Sequence, residues 1–214
     1  MVNLSMFDKN YSKVQNTYIS KGTVLIPFED KLNPLSEKDF KNLFEYCEKV
    51  DKEFIEVGDA GESNNLMVGR FMTDKIKPEI VKNPYSEKVI NILQNNNFKK
   101  IIKNTLNLTK DFYLRRIQYN QINKGNFVGY HLDKDSNPDY LAACVIQLGD
   151  NFKGGIYRVF QPDKSYNDFI PTKASLIISN CNYPHEVTKV EEGKRKSLVF
   201  FISYNSGLNS RHIK

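Results

Sequence analysis

The sequence predicts an α+β chain that is mainly β, a sandwich or jelly roll supported by helices in its N-terminal half. From residue 112 onward, alternating or apolar runs recur at 112–122, 141–148, 156–160, 174–179 and 197–203. Turn-forming clusters such as Asp135-Ser136-Asn137-Pro138 and Gly154-Gly155 separate them. Before residue 110, apolar residues instead recur at helical spacing. With 214 residues, 40% of them hydrophobic, the chain is long enough for one sizeable core. A single domain over 1–214 is expected, with 1–110 as helical support and lid region and 111–205 as the jelly-roll core.

Residues 1–22 are polar and read as an irregular arm or a cover over the barrel. Residues 23–27 are a short strand. Ser36 reads as an N-cap with acidic residues in the turn that follows, and Phe40, Leu43, Phe44, Cys47 and Val50 then form one helical stripe, the core face of a helix laid on a sheet. Residues 56–72 are turn-rich and read as a polar loop that folds as a lid. A second helix starts near Ser86 after Pro84, Asn95-Asn96-Asn97 breaks it, and 98–106 forms a third; both read as scaffold.

In the strand from residue 112, both faces are polar in places, which suits a strand at a barrel mouth. Residues 134–140 form a turn segment, 141–148 a buried strand, and 156–160 the next strand, with Arg158 pointing either in or out. Residues 161–173 read as a loop. The strand 174–179 delivers His185, and 197–203 closes the sheet.

The chain has only three histidines, and His212 lies two residues from the C-terminus. The others stand in Tyr130-His131-Leu132-Asp133 and Pro184-His185-Glu186-Val187. Side chains two apart on a strand share a face, so His131 and Asp133 stand side by side. With His185 they make two imidazoles and a carboxylate, the facial triad of non-haem Fe(II) sites that leaves open positions on the metal. Arg195 follows His185 by ten residues. The segment reads as a strand leaving His185, a turn at Glu192-Gly193 and a return strand that brings Arg195 beside the metal. A guanidinium there can hold a carboxylate through two parallel hydrogen bonds.

His-x-Asp, the Gly154-Gly155 turn, and His-x-Val-x-x-Val-x-x-Gly-x-Arg from His185 to Arg195 stand here in order. Over 114–203 the chain resembles the Fe(II)/2-oxoglutarate dioxygenases, particularly the prolyl-hydroxylase-like branch. The resemblance implies a double-stranded β-helix, with Fe(II) on His131, Asp133 and His185. It further implies 2-oxoglutarate held by Arg195 and O2 as the other cosubstrate. Related enzymes carry Asn-x-Tyr before the His-x-Asp, both contacting 2-oxoglutarate. Here Asn120 is kept as a cosubstrate contact, but Ile122 replaces the tyrosine, whose role is either absent or taken by Tyr113 or Tyr119. The frame Gly129-x-His131-x-Asp133-x-Asp135, Gln147-Leu148-Gly149 and Arg195-x-Ser197 also resembles a bacterial group acting on free amino acids, which contains radical halogenases and hydroxylases. The halogenases replace the Asp with a small residue; Asp133 is kept, so the resemblance implies hydroxylation.

A small-molecule substrate is therefore expected, in particular a free amino acid, whose zwitterion needs an acid and a base. Arg70, Arg116, Asp135, Asp139 and Arg158 are the candidates. A protein prolyl or lysyl hydroxylase, a nucleic-acid demethylase and a non-catalytic cupin-like binding protein are the alternatives. The net charge is +6, but the lysines are scattered without interleaved stacking aromatics, so nucleic acid is not the expected partner. The three cysteines are widely spaced and read as reduced thiols. No stretch reads as a membrane span or a signal peptide, and the cytoplasm is the expected compartment.

Overall fold

The computed structural model describes residues 4–212, with side chains from residue 10 onward. Its order is α1 (Leu4–Lys21), β1 (Thr23–Ile26), α2 (Glu37–Lys49), β2 (Lys52–Val57), β3 (Ser63–Thr73), β4 (Glu79–Ile80), α3 (Ser86–Leu93) and α4 (Asn96–Leu106). Then follow β5 (Tyr113–Asn123), β6 (Val128–His131), β7 (Tyr140–Gln147), β8 (Phe152–Gly154), β9 (Tyr157–Phe160), β10 (Tyr166–Phe169), β11 (Leu176–Asn180), β12 (His185–Val187) and β13 (Val190–Ser203). Short 3-10 turns stand at Asp133–Asp135 and Ser210–His212.

The strands make one antiparallel sheet that folds back on itself. One layer runs β1-β11-β7-β13-β5-β3 and the other β6-β12-β9-β10, joined where Asn64 of β3 meets Val128 of β6. β2 and β4 pair with β3, and β8 with β13. Leu66, Val68, Ile122, Val145 and Ile177 of the first layer pack against Tyr157, Val159, Phe169 and Val187 of the second, closing the double-stranded β-helix.

Strand alternation explains the near-continuous apolar runs, because the first layer is covered on both faces. On β13, Leu198, Phe200 and Ile202 face the helices, whereas Ser197, Val199 and Phe201 line the barrel interior. The four helices supply Val14, Tyr18, Leu43, Cys47, Val89, Leu93, Phe98 and Ile102 to that outer core. Each such large side chain contributes about 1.5–3 kcal/mol on full burial. Ser36 caps α2 by accepting from Asp39 N, as its position in the sequence predicts, and is worth about 1 kcal/mol. Asn95 caps α4 in the same way through Phe98 N.

Four expectations are corrected. Residues 4–21 are helix α1, not an irregular arm; residues 1–3 lie outside the described residues. Most of the expected lid over 56–72 is a β-hairpin, β2 against β3, and only its tip over 58–62 remains loop. The expected loop over 161–173 contains β10. Gly193 is not a hairpin turn: it lies inside β13 at φ 71°, opposite Phe152 of β8. The chain breaks instead between Val187 and Val190, crossing from one layer to the other, so β12 and β13 are not partners.

A buried ion pair anchors the segment behind the site. Arg115 donates Nε to Asp74 Oδ2 at 2.9 Å and Nη2 to Oδ1 at 2.7 Å, and Nη1 to the carbonyls of Asn205 and Gly207. Asn137 Nδ2 donates to the same carboxylate at 2.8 Å, and Asn209 Nδ2 to Ser136 O at 3.1 Å. The chain just after Asp133 is thereby fastened to β5 and to the C-terminal segment. No helix among the described residues is long and apolar enough to cross a membrane. Cys47, Cys144 and Cys181 are free and buried.

Candidate active site

Two strand ends and one turn bring the three candidate metal ligands together. His131 ends β6 and His185 begins β12, as direct cross-strand partners. Asp133 is off the strand: Ser136 N, Ser136 Oγ and Asn137 N all donate to its carbonyl, which closes a turn. Its carboxylate still stands beside His131 as the two-residue spacing predicts, with Oδ1 3.5 Å from His131 Nε2 and Oδ2 3.9 Å from His185 Nε2. One ligand atom from each residue lies within 4.8 Å of the others.

The donor set fits a divalent metal. His131 Nδ1 sits 2.8 Å from Gly129 O, and His185 Nδ1 lies 3.4 Å from Tyr183 O. Donation from Nδ1 leaves Nε2 as the lone-pair nitrogen aimed at Asp133. Asp133 Oδ2 is buried without a hydrogen bond, a costly orphan that a cation satisfies. Burial pushes the Asp133 carboxyl up, but the neighbouring His185 and His131 more than offset it and hold it below the usual carboxylate range. Burial also pushes His185 down to about 4, so it is a neutral ligand. For His131, burial is outweighed by the Asp133 carboxylate, which lifts it to about 8.

The cavity that opens on the triad is lined by Arg195, Asn120, Arg116, Arg70, Tyr157 and Asp59 among others. Arg195 reaches it from the layer opposite the triad. Its side chain is 2% exposed, and Nε and Nη2 have no partner. Burial draws the guanidinium down to about 10. Gly155 makes room for it: at φ 59° it adopts the left-handed region, and a Cβ there would stand 2.9 Å from Arg195 Cδ. The Gly154-Gly155 pair thus shapes an arginine slot. A buried cation with empty donors fits a ligand carboxylate.

The other sequence candidates divide. Asn120 lines the cavity and accepts from Gln118 Nε2 at 2.9 Å. Arg70 reaches its rim but is paired with Glu53 at 2.7 Å. Arg116 is buried inside it, over the Tyr140 and Phe201 rings, and paired with Asp59 at 2.8 Å. Arg158 is not in the lining: its fork holds Asp168, its cross-strand partner, at 2.7 and 2.9 Å. Asp135 is exposed, and Asp139 is occupied by Asn205 and Ser210. Tyr113 is 51% exposed, and Tyr119 bonds Glu48 and Gln121, so neither tyrosine stands in for the one that Ile122 replaces. Asp59 and Tyr157, which sequence reasoning missed, do line the cavity. Tyr157 sits two residues after the Gly-Gly pair, on the inward parity of β9, which is the only signal it leaves.

Residues 117–203 match the family model of the 2OG-Fe(II) oxygenase superfamily. Over 93% of its length, at 30% identity and a TM-score of 0.86, the chain is similar to an oxidoreductase of the 2OG-Fe(II) oxygenase family from Burkholderia pseudomallei, of which it covers 93%. The chain belongs to the 2OG-Fe(II) oxygenases. It shares their fold with a prolyl-4-hydroxylase from Pseudomonas putida, at 17% identity and a TM-score of 0.64, over 91% of this chain and 99% of that one. It does so too with the epimerase SnoN, crystallised with Fe3+, alpha ketoglutarate and nogalamycin RO, at 8% identity and a TM-score of 0.70, over 92% and 84%. No curated protein matches the chain in sequence. The oxygenase uses Fe(II), 2-oxoglutarate and O2; when bound, iron supplies the activation of dioxygen by which the cosubstrate is oxidised.

Proposed function

We propose that His131, Asp133 and His185 hold the iron, that Arg195 takes the far carboxylate of 2-oxoglutarate with Asn120 beside it, and that the enzyme hydroxylates an unactivated C–H of a free amino acid. In the overall reaction 2-oxoglutarate, O2 and R–H give succinate, CO2 and R–OH. The oxygenase holds the ligands in place, excludes water and positions one C–H bond.

The observation that carries the substrate is the Arg116–Asp59 pair. The cavity that opens on the triad contains a nearly buried guanidinium and a half-exposed carboxylate 2.8 Å apart. A zwitterion placed between them exchanges that internal pair for two ligand pairs of the same kind. A peptide bond has neither charge and would leave both groups facing a neutral chain. Asp59 also stands on the hairpin tip that borders the cavity, and its carbonyl accepts from Arg211 Nη1 at 2.9 Å, which holds the tip in place.

The test is succinate formation by the iron-loaded protein with 2-oxoglutarate and air across the free amino acids, with mass spectrometry for a gain of one oxygen. Coupled turnover on one amino acid is expected. Succinate released only at a slow rate independent of every amino acid would remove this substrate class, and peptides would then be the substrates to test.

A further inference from the structure

We infer that Arg211, on the C-terminal segment, is a positioning residue for the substrate. It holds the hairpin tip over 58–62, and with it the Asp59 carboxylate, at a fixed place relative to the turn that carries Asp133. This rests on the reading of the Arg116–Asp59 pair given above.

The tip is stiff within itself. Gly58 N donates to Glu62 O at 2.9 Å, and Gly61 N to Gly58 O at 3.0 Å. The Glu62 carboxylate lies back across the loop, accepting from Ala60 N at 3.1 Å and from Asn64 Nδ2 at 2.9 Å. It fits because residue 58 is glycine: a Cβ there would collide with it. These bonds tie the tip only to its own hairpin. Asp59 ties it to the rest of the molecule, and does so twice. Its Oδ2 stands 2.8 Å from Arg116 Nη2, and its carbonyl accepts from Arg211 Nη1 at 2.9 Å.

A substrate treats the two arginines differently. A zwitterion that takes the Arg116 guanidinium and the Asp59 carboxylate ends their pairing, so the tip loses that tether as the site fills. The Asp59 carbonyl takes no part in the exchange, and Arg211 keeps it. Arg211 is itself firmly placed. Its N donates to Asn209 Oδ1 at 3.0 Å. Asn209 is 1% exposed and donates N to Ile76 O at 2.7 Å and Nδ2 to Ser136 O at 3.1 Å. Ser136 in turn donates N and Oγ to the Asp133 carbonyl. Asp133, Ser136, Asn209, Arg211 and Asp59 therefore form one connected path from the triad to the tip, and it bypasses Arg116. Without Arg211, a tip containing Gly58 and Gly61 would have to be ordered by the substrate, and that ordering weakens binding.

The experiment is steady-state kinetics of the full-length, iron-loaded enzyme on the amino acid that the succinate test identifies. Arg211→Ala is expected to raise KM about 10-fold, the loss of one hydrogen bond from a charged donor, with kcat within about two-fold. Arg211→Lys, which keeps a cationic donor, should recover most of that loss. In an Asp59→Asn background, Arg211→Ala should cost no more than about two-fold further, because it acts through Asp59. Iron retention and the anaerobic 2-oxoglutarate titration should match the wild type. An unmoved KM would overturn the proposal, and so would the full 10-fold loss repeated in the Asp59→Asn background. A matching loss of iron or 2-oxoglutarate binding would also overturn it, showing that Arg211 only props the Asp133 turn. If the wild type turns over no amino acid, the substrate reading fails and this role fails with it; turnover with a KM indifferent to Arg211→Ala removes this role alone.

Discussion

His131 and His185 face each other across the β6–β12 pair with ring centroids 4.3 Å apart. With the Asp133 carboxylate beside both, burial keeps His185 neutral while the carboxylate lifts His131 to about 8, and two imidazoles and a carboxylate at this spacing suit a divalent cation. Asp133→Ala is expected to cut iron retention and to abolish substrate hydroxylation. Metal analysis after desalting and oxygenated product by mass spectrometry check this, and full hydroxylase activity in the variant would refute the triad.

Arg195 carries opposite consequences for stability and for binding. In the ligand-free protein it is a buried cation with two unpaired donors, so Arg195→Met should stabilise that state by about 1–3 kcal/mol. The same change should raise the 2-oxoglutarate requirement by at least about 100-fold, since a bidentate charged pair is lost. Chemical denaturation and a cosubstrate titration measure the two effects separately. A variant that is both less stable and unimpaired in binding would contradict the assignment.

Gly155→Ala tests the slot. The added methyl meets Arg195 Cδ at 2.9 Å and forces a left-handed backbone on alanine. Weaker 2-oxoglutarate binding with iron content unchanged is the expected result, readable from the same titration.

Arg116 and Arg158 separate the cavity from its surroundings. Arg116→Met should raise KM for the amino acid by about 10-fold or more, whereas Arg158→Met should leave kcat/KM within about two-fold, because Arg158 is held by Asp168 outside the lining. Steady-state kinetics on the identified substrate decide it, and the reverse ranking would exchange their roles.

Asp74→Ala removes one partner of a pair in which both side chains are fully buried. A loss of about 3–5 kcal/mol is expected, because Arg115 is left uncompensated. Urea unfolding measures it; a loss below about 1 kcal/mol would mean that water or another group replaces the carboxylate.

That His131, Asp133 and His185 meet at one cavity with Arg195 was legible in the sequence because it follows from residue type and order, and few alternatives existed among three histidines. Most of the elements misread there share one cause: composition does not say which partner a backbone meets. Gly193 has the positive φ that a turn requires, but it spends it on an irregular stretch of β13 against β8. The polar residues of 56–72 suggested a loop, yet Asn64 and Arg70 are polar because β3 borders the cavity. Helix α1 shows only Val14 and Tyr18 as buried described residues, too faint a stripe to read. Arg116 and Arg158 look alike in sequence. Their difference is made by β10, whose Asp168 falls opposite Arg158 and claims it.

The long strand β13 has a consequence for how the molecule is made. It pairs with β5, β7 and β8, and it is the last strand of the described chain. During synthesis, β5 and β7 must wait with open edges until β13 arrives between them. Such non-local closure is slow and exposes sticky strands meanwhile. The candidate site shares that delay: His185 and Arg195 lie just before and within this final segment, so the cavity is complete only once β13 has closed the barrel.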